Sequence, residues 1–283
     1  MIIHNGELAE DGAAVFSLDD TDVTYGYGCY ETLKVRGGVL HFPEFHAERL
    51  VASARILGIA IDFSEITVVE ALERLVTANG LEDNNVKIVV IGRDGRSADW
   101  YAIPLPPVYP PVGSEREGVT CLVYPGERHF PQAKSLSMLL STVAYRAATS
   151  IGCYDALLVN RREEITEGTR TNVFYALVDA PDEICTPPAE DVLSGITRKT
   201  FISVCEEYGK KIRERPLPLA EVEARSVGLL VSSTSTRLVP VNAMRYLDRG
   251  DILSVPLLPS LIEASERYAT WLDGYRIGKK CSH

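Results

Sequence analysis

The stretch that decides the reading is Thr166-Glu167-Gly168-Thr169-Arg170-Thr171-Asn172-Val173-Phe174, followed by Thr186-Pro187-Pro188 and then Leu193-Ser194-Gly195-Ile196-Thr197-Arg198. Residues 172 to 178 are apolar enough for a strand, and Thr197 to Tyr208 reads as a helix closed by Gly209. The amides of a helix's first turn lack internal partners and sit at the positive end of its dipole. A phosphate fits there, with the Thr197 hydroxyl as a further donor. Capping by Ser194 is the simpler use of the same residues. Glu167 is either a turn residue answering Arg161 or Arg162, or a carboxylate held against the nitrogen of an aromatic ring. Taken in this order, the acid, the amide, the strand and the Gly-Ile-Thr turn suggest a site for a flat, charged, phosphorylated cofactor.

Residues on either side extend the pattern. Lys134 lies in Gln132-Ala133-Lys134-Ser135-Leu136-Ser137, ahead of apolar residues at 136, 139, 140, 143, 144, 147, 148 and 151 that recur with helical spacing. It is either a solvated lysine or a lysine kept for Schiff-base chemistry, which needs a lowered pKa; cations are disfavoured where helices begin. The hydroxyl run Ser232-Ser233-Thr234-Ser235-Thr236 follows an apolar strand, as a plain turn or as a second set of phosphate donors. Arg49, in His46-Ala47-Glu48-Arg49-Leu50, is either a helix arginine paired with an acid or a bidentate phosphate ligand.

Composition excludes several classes. The 283 residues are 46% hydrophobic and 24% charged, as in soluble globular proteins. With 29 basic and 39 acidic residues the net charge is −10, which argues against nucleic-acid or anionic-membrane partners. No apolar run approaches the ~20 residues that span a bilayer. The cysteines at 29, 121, 153, 185, 205 and 281 fit no zinc pattern, so no metal is expected and they read as free, mostly buried thiols. Met1 to Glu7 lacks the features of a signal peptide, and a cytoplasmic location is expected.

Ile103 to Gly113 holds five prolines in eight residues, which favours a stiff extended connector. It predicts a small N-terminal domain over 1–103, a linker over 104–113 and a larger domain over 114–283. In the first domain, Asn5-Gly6 and Gly37-Gly38 mark hairpins. Pro43 opens a helix that ends at Gly58, a second helix spans about 64 to 79, and Val86 to Ile91 is a buried strand. The second domain predicts strands at 119–124, 156–160, 172–178 and 227–232, with a last helix over 259–272. Helices and strands mix in both domains, so the class is α+β, or mixed α/β.

These residues together resemble the class IV, fold-type IV pyridoxal-phosphate enzymes, which include D-amino-acid transaminases, branched-chain amino-acid transaminases and aminodeoxychorismate lyases. The likeness covers nearly the whole chain. It runs through Tyr25 to Glu31, His46 to Leu50, Lys134-Ser135-Leu136, Gly152 to Leu158, Glu167 to Phe174, Thr186 to Pro188, Leu193 to Arg198 and Ser233 to Val241. The resemblance implies pyridoxal 5'-phosphate as cofactor and Lys134 as Schiff-base lysine and proton shuttle. It implies that Glu167 pairs with the pyridine nitrogen, that Leu193 packs on the ring, and that Arg49, Ile196, Thr197, Ser233 and Thr234 hold the phosphate. Tyr30 is placed near the substrate. The family fold is a small N-terminal α/β domain and a larger barrel-like one, with the cofactor in the cleft between them, usually in a homodimer.

The branch is less sharply marked. Branched-chain enzymes usually carry Phe-Glu-Gly-Ile-Arg where this chain has Tyr30-Glu31-Thr32-Leu33-Lys34, and a tyrosine where it has Leu139. Tyr30-Glu31 and Lys134-Ser135-Leu136 look more like the D-amino-acid branch, which typically binds the substrate carboxylate with an R-x-H pair. Arg93 to Trp100 lacks that pair, leaving Arg96, Arg170 or Arg237 as carboxylate ligands or as surface residues. Val86 to Arg96 resembles the lyase branch. The expected activity is transamination between an amino acid, with a lean to the D series, and a 2-oxo acid. A branched-chain L-amino-acid transaminase and a 4-amino-4-deoxychorismate lyase are the alternatives. A non-catalytic relative comes last, because a fold kept without chemistry need not keep Lys134.

Overall fold

Asn5 and Gly6 both adopt positive φ, +49° and +91°, as a tight hairpin turn requires, and so set the first two strands antiparallel. The computed structural model describes residues 1–12 and 14–280, without the side chains of 276–280, and its chain divides into two compact units. Cys281 lies outside the described residues; the other five cysteines are free and buried. No described helix is long and apolar enough to cross a membrane.

The first unit comprises Met1–Val108, Gln132–Met138 and the chain from Arg276. Its elements are β1 (Ile2–His4), β2 (Glu7–Ala9), α1 (Thr21–Thr24), β3 (Gly28–Arg36), β4 (Val39–Leu40), α2 (Pro43–Ile56), α3 (Glu65–Asn79), β5 (Asp83–Ile91) and β6 (Asp99–Leu105). The strands form an antiparallel sheet in the order β2-β1-β6-β5-β3-β4. Side chains alternate along β3. Cys29, Leu33 and Val35 join Val86, Ile88 and Val90 of β5 in a core with Ala47, Leu50 and Ala54 of α2 and Leu72 and Leu75 of α3. Tyr30, Thr32 and Lys34 stand on the opposite face of the sheet. The helices start as the sequence predicts, with Pro43 in the first turn of α2 and the Ser64 hydroxyl accepting from Thr67 N–H at α3.

The segment carrying Lys134 belongs to this first unit, which no single cut in the linear sequence would give. Tyr30 N–H donates to Lys134 O at 2.9 Å and Leu136 N–H donates to Gly28 O at 2.8 Å, so residues 134–136 lie along the start of β3. A Cβ at Gly28 would stand 2.6 Å from Leu136 Cδ1 and 2.2 Å from Val90 O, so a larger residue there would displace this strip. The apolar spacing predicts a helix from 136, but helix begins only at Leu139 because the backbone before it pairs with β3. The division between units near residue 108 falls within the proline-rich stretch, whose first two residues, Pro104 and Leu105, close β6.

The second unit holds Tyr109–Pro131 and Leu139–Tyr275. Its elements are α4 (Ser114–Glu117), β7 (Val119–Pro125), α5 (Leu139–Ser150), β8 (Asp155–Val159), β9 (Glu164–Gly168), β10 (Asn172–Leu177), β11 (Ile184–Thr186), α6 (Ile196–Glu207), β12 (Arg213–Glu214), β13 (Leu217–Pro218), α7 (Leu219–Glu223), β14 (Val227–Ser233), β15 (Arg237–Arg245), β16 (Ile252–Ser254) and, up to Tyr275, α8 (Pro259–Lys280). The run β10-β14-β15-β7-β8-β9 closes on itself where Asn172 of β10 pairs with Glu167 of β9, making a barrel. One face of these strands supplies its core through Val119, Cys121, Leu157, Ile165, Val173, Leu229 and Val241. Outside it, α5 covers Leu122, Ala156 and Leu158, and Phe174 packs edge-on against Phe201 of α6, which meets Tyr268 of α8. The barrel closes at the acid and amide of the opening motif.

Candidate active site

In the first unit, β3 and α2 organise a buried charged cluster. Arg49 donates to both oxygens of Glu31, from Nε at 2.6 Å and Nη2 at 2.7 Å, in the bidentate geometry that suits a guanidinium. His46, one turn earlier on α2, is 2.7 Å from Glu31 Oε2 through Nδ1. Burial alone would raise the Glu31 carboxyl, but Arg49 and then His46 overcome it and hold it far below the usual carboxylate range. Burial pushes the His46 imidazole down, against the pull of Glu31, and its Nδ1 faces the Glu31 carboxylate, which can only accept. The Nε2 atom of His46 is buried without a hydrogen-bond partner among the described residues. Arg49 is thus held in one orientation by fixed partners, as a phosphate ligand needs to be.

Lys134 lies against the same β3. Its backbone N–H donates to the Ser53 hydroxyl of α2 at 3.0 Å, and its ammonium stands 4.5 Å from the centroid of the Tyr30 ring. It has neither ion pair nor side-chain hydrogen bond among the described residues. An amine held at a defined place without a counter-ion suits a nucleophile.

In the second unit, Asn172 is the hub. It pairs with Glu167 on one side and with Ser232 on the other, and its Nδ2 donates to Leu193 O at 2.9 Å. Glu167 is 4% exposed. Its Oε2 accepts from Leu193 N–H at 3.1 Å, and its Oε1 accepts from Arg128 Nη1 at 3.0 Å. Arg161 and Arg162 are not its partners; Arg162 instead binds Glu164 and Asp191. The turn after Glu167 is shaped by buried Asp155, which accepts from Thr169 Oγ1, from Thr171 Oγ1 at 2.9 Å and from Ala156 N–H at 2.8 Å. Burial raises the Asp155 carboxyl, partly offset by these hydroxyls.

Gly195 is the N-cap of α6 and supplies no capping side chain, so Ile196 and Thr197 open the helix with their amides and with the dipole. Ser233 ends β14 and Thr234 begins the turn to β15. There the Ser233 hydroxyl is 2.7 Å from Thr236 Oγ1, which also accepts from Tyr154 OH at 2.7 Å.

The three arginines considered for the substrate carboxylate are all engaged. Arg96 makes two bonds to Asp99, at 2.8 and 2.7 Å. Arg170 donates to Tyr154 O at 3.1 Å and stacks 4.0 Å from the Tyr145 centroid. Arg237 donates to Asp273 at 3.0 Å. Sequence reasoning assigned no role to Arg128, Asn172, Glu31 or His46. The last three lie in quoted motifs, whereas Arg128 sits in the aperiodic run before Lys134 and only the fold brings it to Glu167.

Each unit by itself carries groups suited to a phosphorylated pyridine aldehyde. The first has an amine suited to the aldehyde and an oriented guanidinium suited to the phosphate, and the second has a fixed carboxylate suited to the ring nitrogen and a helix N-terminus suited to the phosphate. The model of the amino-transferase class IV family matches residues 28–244. The chain belongs to that family, whose cofactor is pyridoxal 5'-phosphate. It is 27% identical over 253 residues to a D-alanine aminotransferase of Bacillus licheniformis, covering 86% of this chain and 88% of that one. It is 28% identical over 249 residues to a putative branched-chain-amino-acid aminotransferase of Methanocaldococcus jannaschii, covering 84% and 85%. Its fold superposes on the branched-chain aminotransferase of Thermoproteus uzoniensis with a TM-score of 0.84 at 23% identity, covering 96% and 94%.

Proposed function

We propose that the protein is a transaminase that moves an amino group between an amino acid, preferentially of the D series, and a 2-oxo acid. The observation that carries this reading is the Lys134 ammonium, held against Tyr30 with no ion pair among the described residues. Tyr30-Glu31 and Lys134-Ser135-Leu136, together with the likeness to D-alanine aminotransferase, support the D preference.

Bound in the site, the cofactor supplies an electron sink for the carbanion formed when the substrate loses its Cα proton. Lys134 Nζ would hold the cofactor and, as a free amine, would move the substrate Cα proton. Glu167, with one oxygen anchored by Leu193 N–H and the other by Arg128, would serve the ring nitrogen as a hydrogen-bond acceptor. Arg49, steadied by Glu31, would serve the phosphate, as would the Ile196 and Thr197 amides and the Ser233 and Thr234 hydroxyls. Leu193 would help to keep water from the ring. The family likeness further supports a homodimer working in the cytoplasm, which light scattering of the purified protein tests for subunit number.

The deciding experiment mixes the cofactor-loaded protein with D-alanine, L-leucine or (R)-1-phenylethylamine and follows loss of the visible pyridoxal band into the near-ultraviolet pyridoxamine band. Conversion is expected fastest with D-alanine. Faster conversion by L-leucine moves the assignment to branched-chain L-amino acids. No conversion with any donor, in protein that keeps its visible band, sinks transamination in favour of 4-amino-4-deoxychorismate lyase activity.

A further inference from the structure

The transaminase reading leaves one cation unexplained. Lys87 lies in β5, directly opposite Thr32 of β3 and Ile103 of β6. It therefore shares the sheet face that carries Tyr30, away from the helices. Its ammonium stands 5.5 Å from the centroid of the same Tyr30 ring that Lys134 approaches at 4.5 Å. Apart from that ring, Lys87 has no ion pair or hydrogen bond among the described residues. A lysine ammonium carries three donors, and a ring face satisfies none of them directionally. Two ammonium groups on one ring also repel each other unless an anion joins them.

We propose that Lys87 is the cation that receives a carboxylate of the substrate. This rests on the transaminase reading, because Lys134 then marks the reacting centre and Lys87 is the permanent charge beside it. Every amino acid and 2-oxo acid brings a carboxylate to that centre. Arg96, Arg170 and Arg237, the cations that sequence alone offers, are already engaged by Asp99, Tyr154 and Tyr145, and Asp273. On this face Thr32, the strand partner of Lys87, brings a hydroxyl to the same side of the sheet, and Val89 with Tyr101 gives an apolar floor beside Tyr30. The shared chemistry is a carboxylate, either the one on Cα or a second one on the substrate side chain.

Cofactor-loaded Lys87→Met and Lys87→Arg proteins test this against the parent, using pyruvate, 2-oxoglutarate and the carboxylate-free (R)-1-phenylethylamine. Lys87→Met is expected to raise KM for the acids roughly 10- to 100-fold, the usual effect of losing a charged hydrogen bond. It should lower the acid-to-amine ratio of kcat/KM accordingly, and Lys87→Arg should restore most of it. Equal losses for the two acids assign the Cα carboxylate, and a loss confined to 2-oxoglutarate assigns the second one; an unchanged ratio overturns the proposal. Binding of unreactive acetate and succinate is measured in parallel by calorimetry, so the proposal is decided without turnover. Weaker binding to Lys87→Met supports it, and no difference from the parent, including no binding by either, overturns it. A parent that turns over none of the substrates sinks the transaminase reading instead, while the calorimetry still judges Lys87.

Discussion

Glu31 shows how a single carboxylate connects folding to the phosphate site. It is fully buried, and it stays ionised because Arg49 and His46 outweigh the cost of burial. Replacing it by Gln strands the Arg49 charge, and a loss of about 3–5 kcal/mol is expected in urea unfolding at neutral pH. The sign of the pH dependence follows from the same groups. The folded-state affinities for protons of Glu31 and His46 both lie below their ordinary values of 4.5 and 6.5, so the unfolded chain binds these protons more tightly. Their contribution is complete above 6.5 and is lost on acidification, first through His46 and then, below 4.5, through Glu31. Glu31→Gln should flatten the acid limb below 4.5, and an unchanged limb would show that this cluster does not govern it. Nothing in the sequence marked this triad as a unit. Glu31 reads as part of the Tyr30-Glu31 motif and Arg49 as a helix arginine or a phosphate ligand, and only the packing of α2 on β3 shows that they neutralise each other.

At the scale of elements, the start of α6 is set by contact rather than by backbone conformation. Gly195 has φ −64°, open to any residue, yet a Cβ there would lie 1.9 Å from Asn172 Oδ1. Gly195→Ala should push the helix start away from Asn172 and break the Asn172–Leu193 bond. Cofactor affinity, read by absorbance titration, is expected to fall by about tenfold or more, with about 1–3 kcal/mol lost from stability. Gly250→Ala is the control, because its Cβ would meet nothing within 4 Å. Wild-type affinity in Gly195→Ala would mean that α6 can shift without losing its ligand. Most elements were legible beforehand. Hairpin turns, the Pro43 and Ser64 helix starts, and the strand and helix around the opening motif all follow from local chemistry that the fold leaves in place. The early helix start at 136 was misread because apolar spacing does not register that the backbone of 134–136 is already paired with β3.

At the scale of the molecule, each of the two units has its own core. Pyridoxal 5'-phosphate at a hundredfold its Kd should add about 2.7 kcal/mol to the stability read by urea unfolding. In Lys134→Ala the gain should shrink, since the covalent hold is gone. The same unfolding with and without the cofactor checks both, and an equal gain in Lys134→Ala would show that Lys134 does not hold it. The sequence by itself determined the class of fold, the family and the cofactor, because these rest on short motifs whose local turns and helix starts carry the chemistry. Only the tertiary structure placed the Lys134 strip on β3, gave Arg128 to Glu167, and closed the barrel at the Glu167–Asn172 pair. It also showed that Arg96, Arg170 and Arg237 are engaged, whereas Lys87 has no ion pair among the described residues. Pairing of charges distant in the chain depends on which strands and helices pack together, and one sequence read alone does not contain that information.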